Sequence, residues 1–130
     1  MKTLNNLQKV IFEKLQNIEN INIYTCPETN STFPYAIINI ENTEIENNFS
    51  QDTYLIHFNI SVFDKSESNV NILNLSSLAQ QYLMELSNTQ FNDFNIIDVY
   101  FNNLNIKLFN EINSVWNVVL KFSIILQSKN

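Results

Sequence analysis

The stretch "WNVVLKFSIILQ", Trp116 to Gln127, decides how this chain folds. Trp116, Val118, Leu120, Phe122, Ile124 and Leu126 alternate with Asn117, Lys121, Ser123 and Gln127. A strand sends successive side chains to opposite faces, so this spacing lays six apolar groups on one side. Such a strand lies on a core and needs others beside it. "TYLIHFNISVFD", Thr53 to Asp64, repeats the pattern, with Tyr54, Ile56, Phe58, Ile60 and Val62 on one face. Leu55, His57, Asn59 and Ser61 take the other face, as in a half-buried strand. "FNIIDVYFNNLNIKLF", from Phe94 to Phe109, reads as a third long strand, bulged near Asn102 and Asn103. The turn "NEIN", Asn110 to Asn113, closes a hairpin between it and the last strand.

Further out, "STFPYAIINIE" runs from Ser31 to Glu41. Pro34 fixes its own φ, lacks an N–H and biases Phe33 towards extended backbone, so it opens a strand over Tyr35 to Asn42. Phe33 and Tyr35 then lie on the same side of the chain. "INIYT", Ile21 to Thr25, is a short strand, and Pro27 with "ETNST" forms a loop. Leu4, Leu7, Ile11, Leu15 and Ile18 recur at helical spacing behind Thr3, a suitable N-cap. Val70, Leu73, Leu78, Ala79, Tyr82, Leu83 and Leu86 mark a second helix, which Ser66 or Ser68 can cap. "TEIENNFSQD", Thr43 to Asp52, reads as a polar connector, and "SNTQFND", Ser87 to Asp93, as a loop. The expected order is α-β-β-β-α-β-β: one α+β domain over residues 1–130, with a mainly antiparallel sheet and both helices packed on one face.

Composition narrows the function. A chain of 130 residues with 45% hydrophobic content can bury a core as one domain. No apolar run approaches the roughly 18 residues of a membrane span, and the alternating start "MKTLNNLQKVIFEKL" does not read as a signal peptide. Thirteen acidic residues against seven basic ones give a net charge of −6, which disfavours capture of nucleic acid on a basic face. Cys26 is the only cysteine, so no internal disulfide forms, which fits a reducing compartment. Glycine is absent, and asparagine is heavily used. The expected cause is the codon bias of an AT-rich genome, and asparagine can serve left-handed turns in glycine's place. Without glycine, no P-loop, Rossmann fingerprint or nucleophile elbow can be written.

Catalytic groups are sparse. His57, the only histidine, could act as a general base, but no nucleophile stands beside it in sequence, and an exposed or interface strand residue is the plainer reading. Cys26 could pair with His57 as thiol and imidazole, whereas a small buried thiol is the commoner case. Glu41, Glu44, Glu46 and Asp52 could offer oxygen ligands to a hard cation, yet their spacing is not that of an EF-hand and the connector has no glycine for its turn. A solvated acidic connector that touches a partner fits better. Asp64 reads as a turn residue or an isolated acid. Stacking of bases on the aromatics would need nearby cations, and Lys65, Lys107 and Lys121 are dispersed. The expectation is a protein without catalytic residues, cofactor or metal.

The strings taken in order resemble the small tail-completion, or tail terminator, family of tailed phages, prophages and phage-like gene transfer agents. The resemblance runs through the helix "LQKVIFEKLQ", the pair Ile23-Tyr24, and Phe33, Pro34 and Tyr35 ahead of Ile37 and Ile38. It continues through "HFNISVF", the second helix around Ala79 and Leu83, and the final hairpin, and so covers nearly the whole chain. The chain departs from the family in lacking the glycines usual in its loops. The resemblance implies a virion-tail protein, assembled in the bacterial host cytoplasm, that forms a ring, usually of six subunits, on the tail tube. That ring ends tube polymerisation and meets head-completion proteins; DNA passes through its lumen without specific binding. An acidic lumen would let DNA slide, since like charges repel phosphate. It implies no membrane partner, no catalytic residues and no cofactor. Ring contacts are heterologous, so two different patches must meet. The candidates are the connector taken from Glu41 to Asp52, with Glu41, Glu44, Glu46, Phe49 and Asp52, and the turn "FNEIN", Phe109 to Asn113, with Phe109, Glu111 and Ile112. The alternative is a non-catalytic α+β adaptor or regulatory module that holds a partner on its sheet edge.

Overall fold

A computed structural model describes residues 2–26, 31–45 and 53–129. Helix α1 (Lys2–Leu15) leads to β1 (Asn22–Tyr24), β2 (Tyr35–Ile45) and β3 (Thr53–Lys65). Helix α2 (Val70–Met84) follows, then β4 (Thr89–Gln90), β5 (Phe94–Asn110) and β6 (Val115–Ser128). The six strands form one sheet in the order β1-β2-β3-β6-β5-β4. Only β1 and β2 run parallel; the other neighbours are antiparallel. The expected α+β fold holds, with one added element: Thr89 and Gln90, read as loop, pair with Ile96 and Asn95 as β4. Two residues are too few to show a period of two in sequence.

The alternating stretches become the centre of the sheet. β6 pairs with β3 along thirteen positions, from Thr53 opposite Gln127 to Lys65 opposite Val115. Val118, Leu120, Phe122, Ile124 and Leu126 are all at most 1% exposed, and Ile56, Phe58, Ile60 and Val62 meet them from β3. The rings of Phe58 and Phe122 stack with centroids 5.2 Å apart. Trp116, at the strand's end, is half-buried and donates its indole N–H to the Ser66 carbonyl at 3.1 Å.

Both helices cover this one face. Leu7, Ile11, Leu15 and Ile18 join the same core as Ile72, Leu75, Ala79 and Leu83. Helix α1 lies over β1 and β2, and α2 over β3, β6 and β5. Lys14 joins the helices through Glu85 at 3.0 Å, a partly exposed pair worth about 0–1 kcal/mol. Two local expectations change. Thr3 lies within the first turn of α1, which starts at Lys2, so it is not the cap. Val70, Leu73 and Leu78 are exposed, and the buried stripe of α2 runs instead through Ile72, Leu75, Ser76, Ala79 and Leu83. Apolar residues lie on several sides of the helix, so its sequence alone fits more than one inward face. Ser68 does reach the helix start, accepting the Val70 N–H at 3.4 Å, although the capping position itself is Asn69.

With no glycine, the left-handed positions fall on Asn20, Asn88 and Ser114, so asparagine fills two of the three described. Strand β2 runs to Ile45, so the connector begins later than its polar composition suggested. β5 carries three register shifts, one of them between Phe101 and Asn103, where the sequence predicted a bulge.

Candidate functional site

Below, the upper end of the sheet is the end that holds the turn at residues 111–114. The helix-free face is the one opposite α1 and α2. Pairing puts Tyr35, Asn42 and Glu44 of β2, His57, Asn59 and Phe63 of β3, Asn117, Lys121 and Ser123 of β6, and Tyr100 and Lys107 of β5 on that free face.

At its upper end the face carries linked aromatic rings. Phe33 and Tyr35 have centroids 5.3 Å apart, Tyr35 stacks on Phe63 at 5.0 Å, and Phe109 meets Phe63 edge-on at 5.5 Å. The Phe33-Pro34 peptide is cis, and both flanking rings lie on one side as the sequence predicted. With Lys65 and Asn113 these rings line a cleft of about 330 Å³. Lys107 places its ammonium 5.7 Å from the centre of the Phe109 ring, a cation–π arrangement. Burial pushes the Tyr35 hydroxyl above its ordinary pKa, with the neighbouring Tyr24 adding to the effect.

A hydrogen-bond chain crosses the middle of the same face. His57 Nε2 lies 2.9 Å from Glu44 Oε2, and His57 Nδ1 lies 2.8 Å from Ser123 Oγ. Asn102 donates its side-chain N–H to Ser123 Oγ at 2.8 Å. A neutral ring protonated at Nε2 lets the chain run in one sense, from the Asn102 amide through the Ser123 hydroxyl and the imidazole to the Glu44 carboxylate. One residue comes from each of β2, β3, β6 and β5. Alongside it, Asn59 donates to Glu41 Oε1 at 2.9 Å. The sequence offered His57 no nucleophile, because Ser123 is 66 positions away. Serine, histidine and glutamate are the groups of a nucleophilic triad. Here, however, Ser123 is only 5% exposed and sits mid-strand between two partners, so the backbone donors near it serve the sheet rather than an oxyanion. The arrangement reads as a cross-strand clasp.

The predicted interface residues split into two patches. Glu41 and Glu44 are exposed strand residues of β2, held by Asn59 and His57, rather than members of a loose connector. Glu46, Phe49 and Asp52 lie outside the described residues. Diagonally across the sheet, Phe109 is 58% exposed at the top of β5, and Ile112, in the turn with exposed Glu111, is 94% exposed. Asn110 holds that turn by accepting the Ile112 and Asn113 N–H groups at 3.1 and 3.2 Å.

Other single residues resolve differently from their sequence reading. Cys26 is exposed, not a buried thiol, and the partners of His57 are Glu44 and Ser123. Asp64 is buried at the end of β3 and accepts a hydrogen bond from Asn71 at 3.0 Å, so it is neither a turn residue nor isolated. Among the described residues no group of three or more His, Cys, Asp or Glu side chains could hold a metal ion, and no helix is long and apolar enough to cross a membrane.

No family model matches the sequence, and no curated protein does. Among solved structures, the chain is similar to one in the virion of a native gene transfer agent (GTA) particle, with a TM-score of 0.75. The likeness covers 90% of this chain and 91% of that one at 11% sequence identity, and it shows a common fold.

Proposed function

We propose that this chain is a structural virion protein that caps the tail tube as a ring, ends tube polymerisation and joins the tail to head-completion proteins. The observation that carries the reading is the near end-to-end likeness to a chain of a gene transfer agent virion, at 90% and 91% coverage. A domain matched along nearly its whole length to a particle component fits a role in assembly. The two exposed patches support it further. Acidic Glu41 and Glu44 lie at one edge of the sheet, and apolar Phe109 and Ile112 lie at the opposite edge and end. A ring of like subunits needs two unlike surfaces of this kind.

The test is tube growth. Purified tail-tube protein polymerises alone or with this chain, and electron microscopy records tube lengths and ends. Shorter tubes with a ring-shaped density at one end are the expected result. Unchanged lengths with bare ends would overturn the proposal.

A further inference from the structure

Among the described residues, both edges of the sheet are only half covered. On one side, β1 pairs with β2 at Tyr35, Ala36 and Ile37 and leaves the outer edge of the lower half open. On the other side, β4 pairs with β5 at Asn95 and Ile96 and leaves the upper half open. Among the described residues, no strand pairs with the outer edge of residues 38–45 or 98–110. An unpaired edge presents a row of N–H and C=O groups, which natural proteins usually guard with charge, proline or bulges. The run Asn103 to Leu108 is regular in register, has no proline and carries Lys107 as its only charge. Its other side chains include Leu104, Ile106 and Leu108, each 37–39% exposed on the helix side of the sheet.

We infer that this upper edge of β5 pairs with the lower edge of β2, around Asn42 to Ile45, in a second copy of the chain, so that successive copies share one continuous sheet. The inference deepens the ring reading and rests on it. Three features select a second copy. The strand senses agree: β2 and β6 run down and β3 and β5 run up, so β5 of one copy beside β2 of the next is an antiparallel pair. The blocked halves agree as well, since β1 caps β2 above and β4 caps β5 below, leaving complementary steps. The charges also agree. Lys107 and Glu44 are both exposed on the helix-free face, so matching the faces of the two copies brings ammonium and carboxylate to the same side. Such pairing is heterologous and forms a ring when the rotation closes.

The test uses Asn42→Cys and Asn105→Cys, which keep Lys107 and Glu44, each in a Cys26→Ser background, mixed and treated with a short bis-maleimide. Both positions are exposed on the helix-free face, and the linker tolerates a slip of one residue pair. The expected result is an abundant cross-linked dimer in the mixture and almost none with either variant alone. A chain carrying both cysteines should give a ladder ending at the mass of the closed ring. If native mass spectrometry shows wild-type rings but positions 42 and 105 do not cross-link, the edge pairing is overturned and the ring reading stands. If the wild type stays monomeric even with purified tail-tube protein and nothing cross-links, both fall.

Discussion

His57, Ser123 and Asn102 make a clasp whose parts depend on one another. The Ser123 hydroxyl lies 2.8 Å from both the imidazole and the Asn102 amide, on a residue only 5% exposed. Ser123→Ala removes both bonds, but the imidazole and the Asn102 amide still reach water, so urea denaturation should show a loss of about 0.5–1.5 kcal/mol, the net worth of a typical hydrogen bond. Asp98 gives a pH-dependent counterpart. The Ser87 hydroxyl at 2.8 Å holds its carboxyl below the ordinary range, helped by Tyr100 and by the Val99 N–H at 2.9 Å. A lowered carboxyl stabilises the fold above the unfolded pKa, near 3.9, and loses that contribution as pH falls through the folded value. Wild type should therefore be more stable than Ser87→Ala at neutral pH, with the two converging as acid denaturation is followed below about pH 4. Neither arrangement was legible in sequence, because each joins residues that are far apart or turned to an unknown face.

The elements divide by how strong their periodic signal is. Phe122 lies in the alternation that opened the sequence reading and is 1% exposed against Phe58 and Phe101. Phe122→Ala should cost about 3–5 kcal/mol by thermal or urea unfolding. Leu104 is also apolar and in a strand, yet is 38% exposed beyond the helices, so Leu104→Ala should cost far less. Sequence shows both as strand residues; only the placement of α2 separates core from edge. The same helix carries Ser76, fully buried with no hydrogen-bond partner for its hydroxyl among the described residues. Ser76→Ala should stabilise the protein, by up to about 1–3 kcal/mol, since it removes a desolvated group without leaving a cavity. A drop in stability would mean that the hydroxyl has a partner.

For the whole molecule, the proposed ring depends on how surfaces meet. Phe109→Ala should leave the unfolding transition nearly unchanged, because the ring is 58% exposed, while weakening tube capping in the length assay. The sequence by itself determined the alternating strands, the helix order, the missing glycine chemistry and the acidic charge. These are properties of local period and composition, which a chain carries before it folds. It also named Phe109, Ile112, Glu41 and Glu44 as surface candidates, because apolar or acidic residues stand out in polar segments. Tertiary structure alone decided that Phe33, Tyr35, Phe63 and Phe109 share a cleft and that His57 meets Ser123. It also decided, among the described residues, which halves of the β2 and β5 edges β1 and β4 cover. Those facts depend on strand order and register, which bring residues together across long separations that no local pattern records.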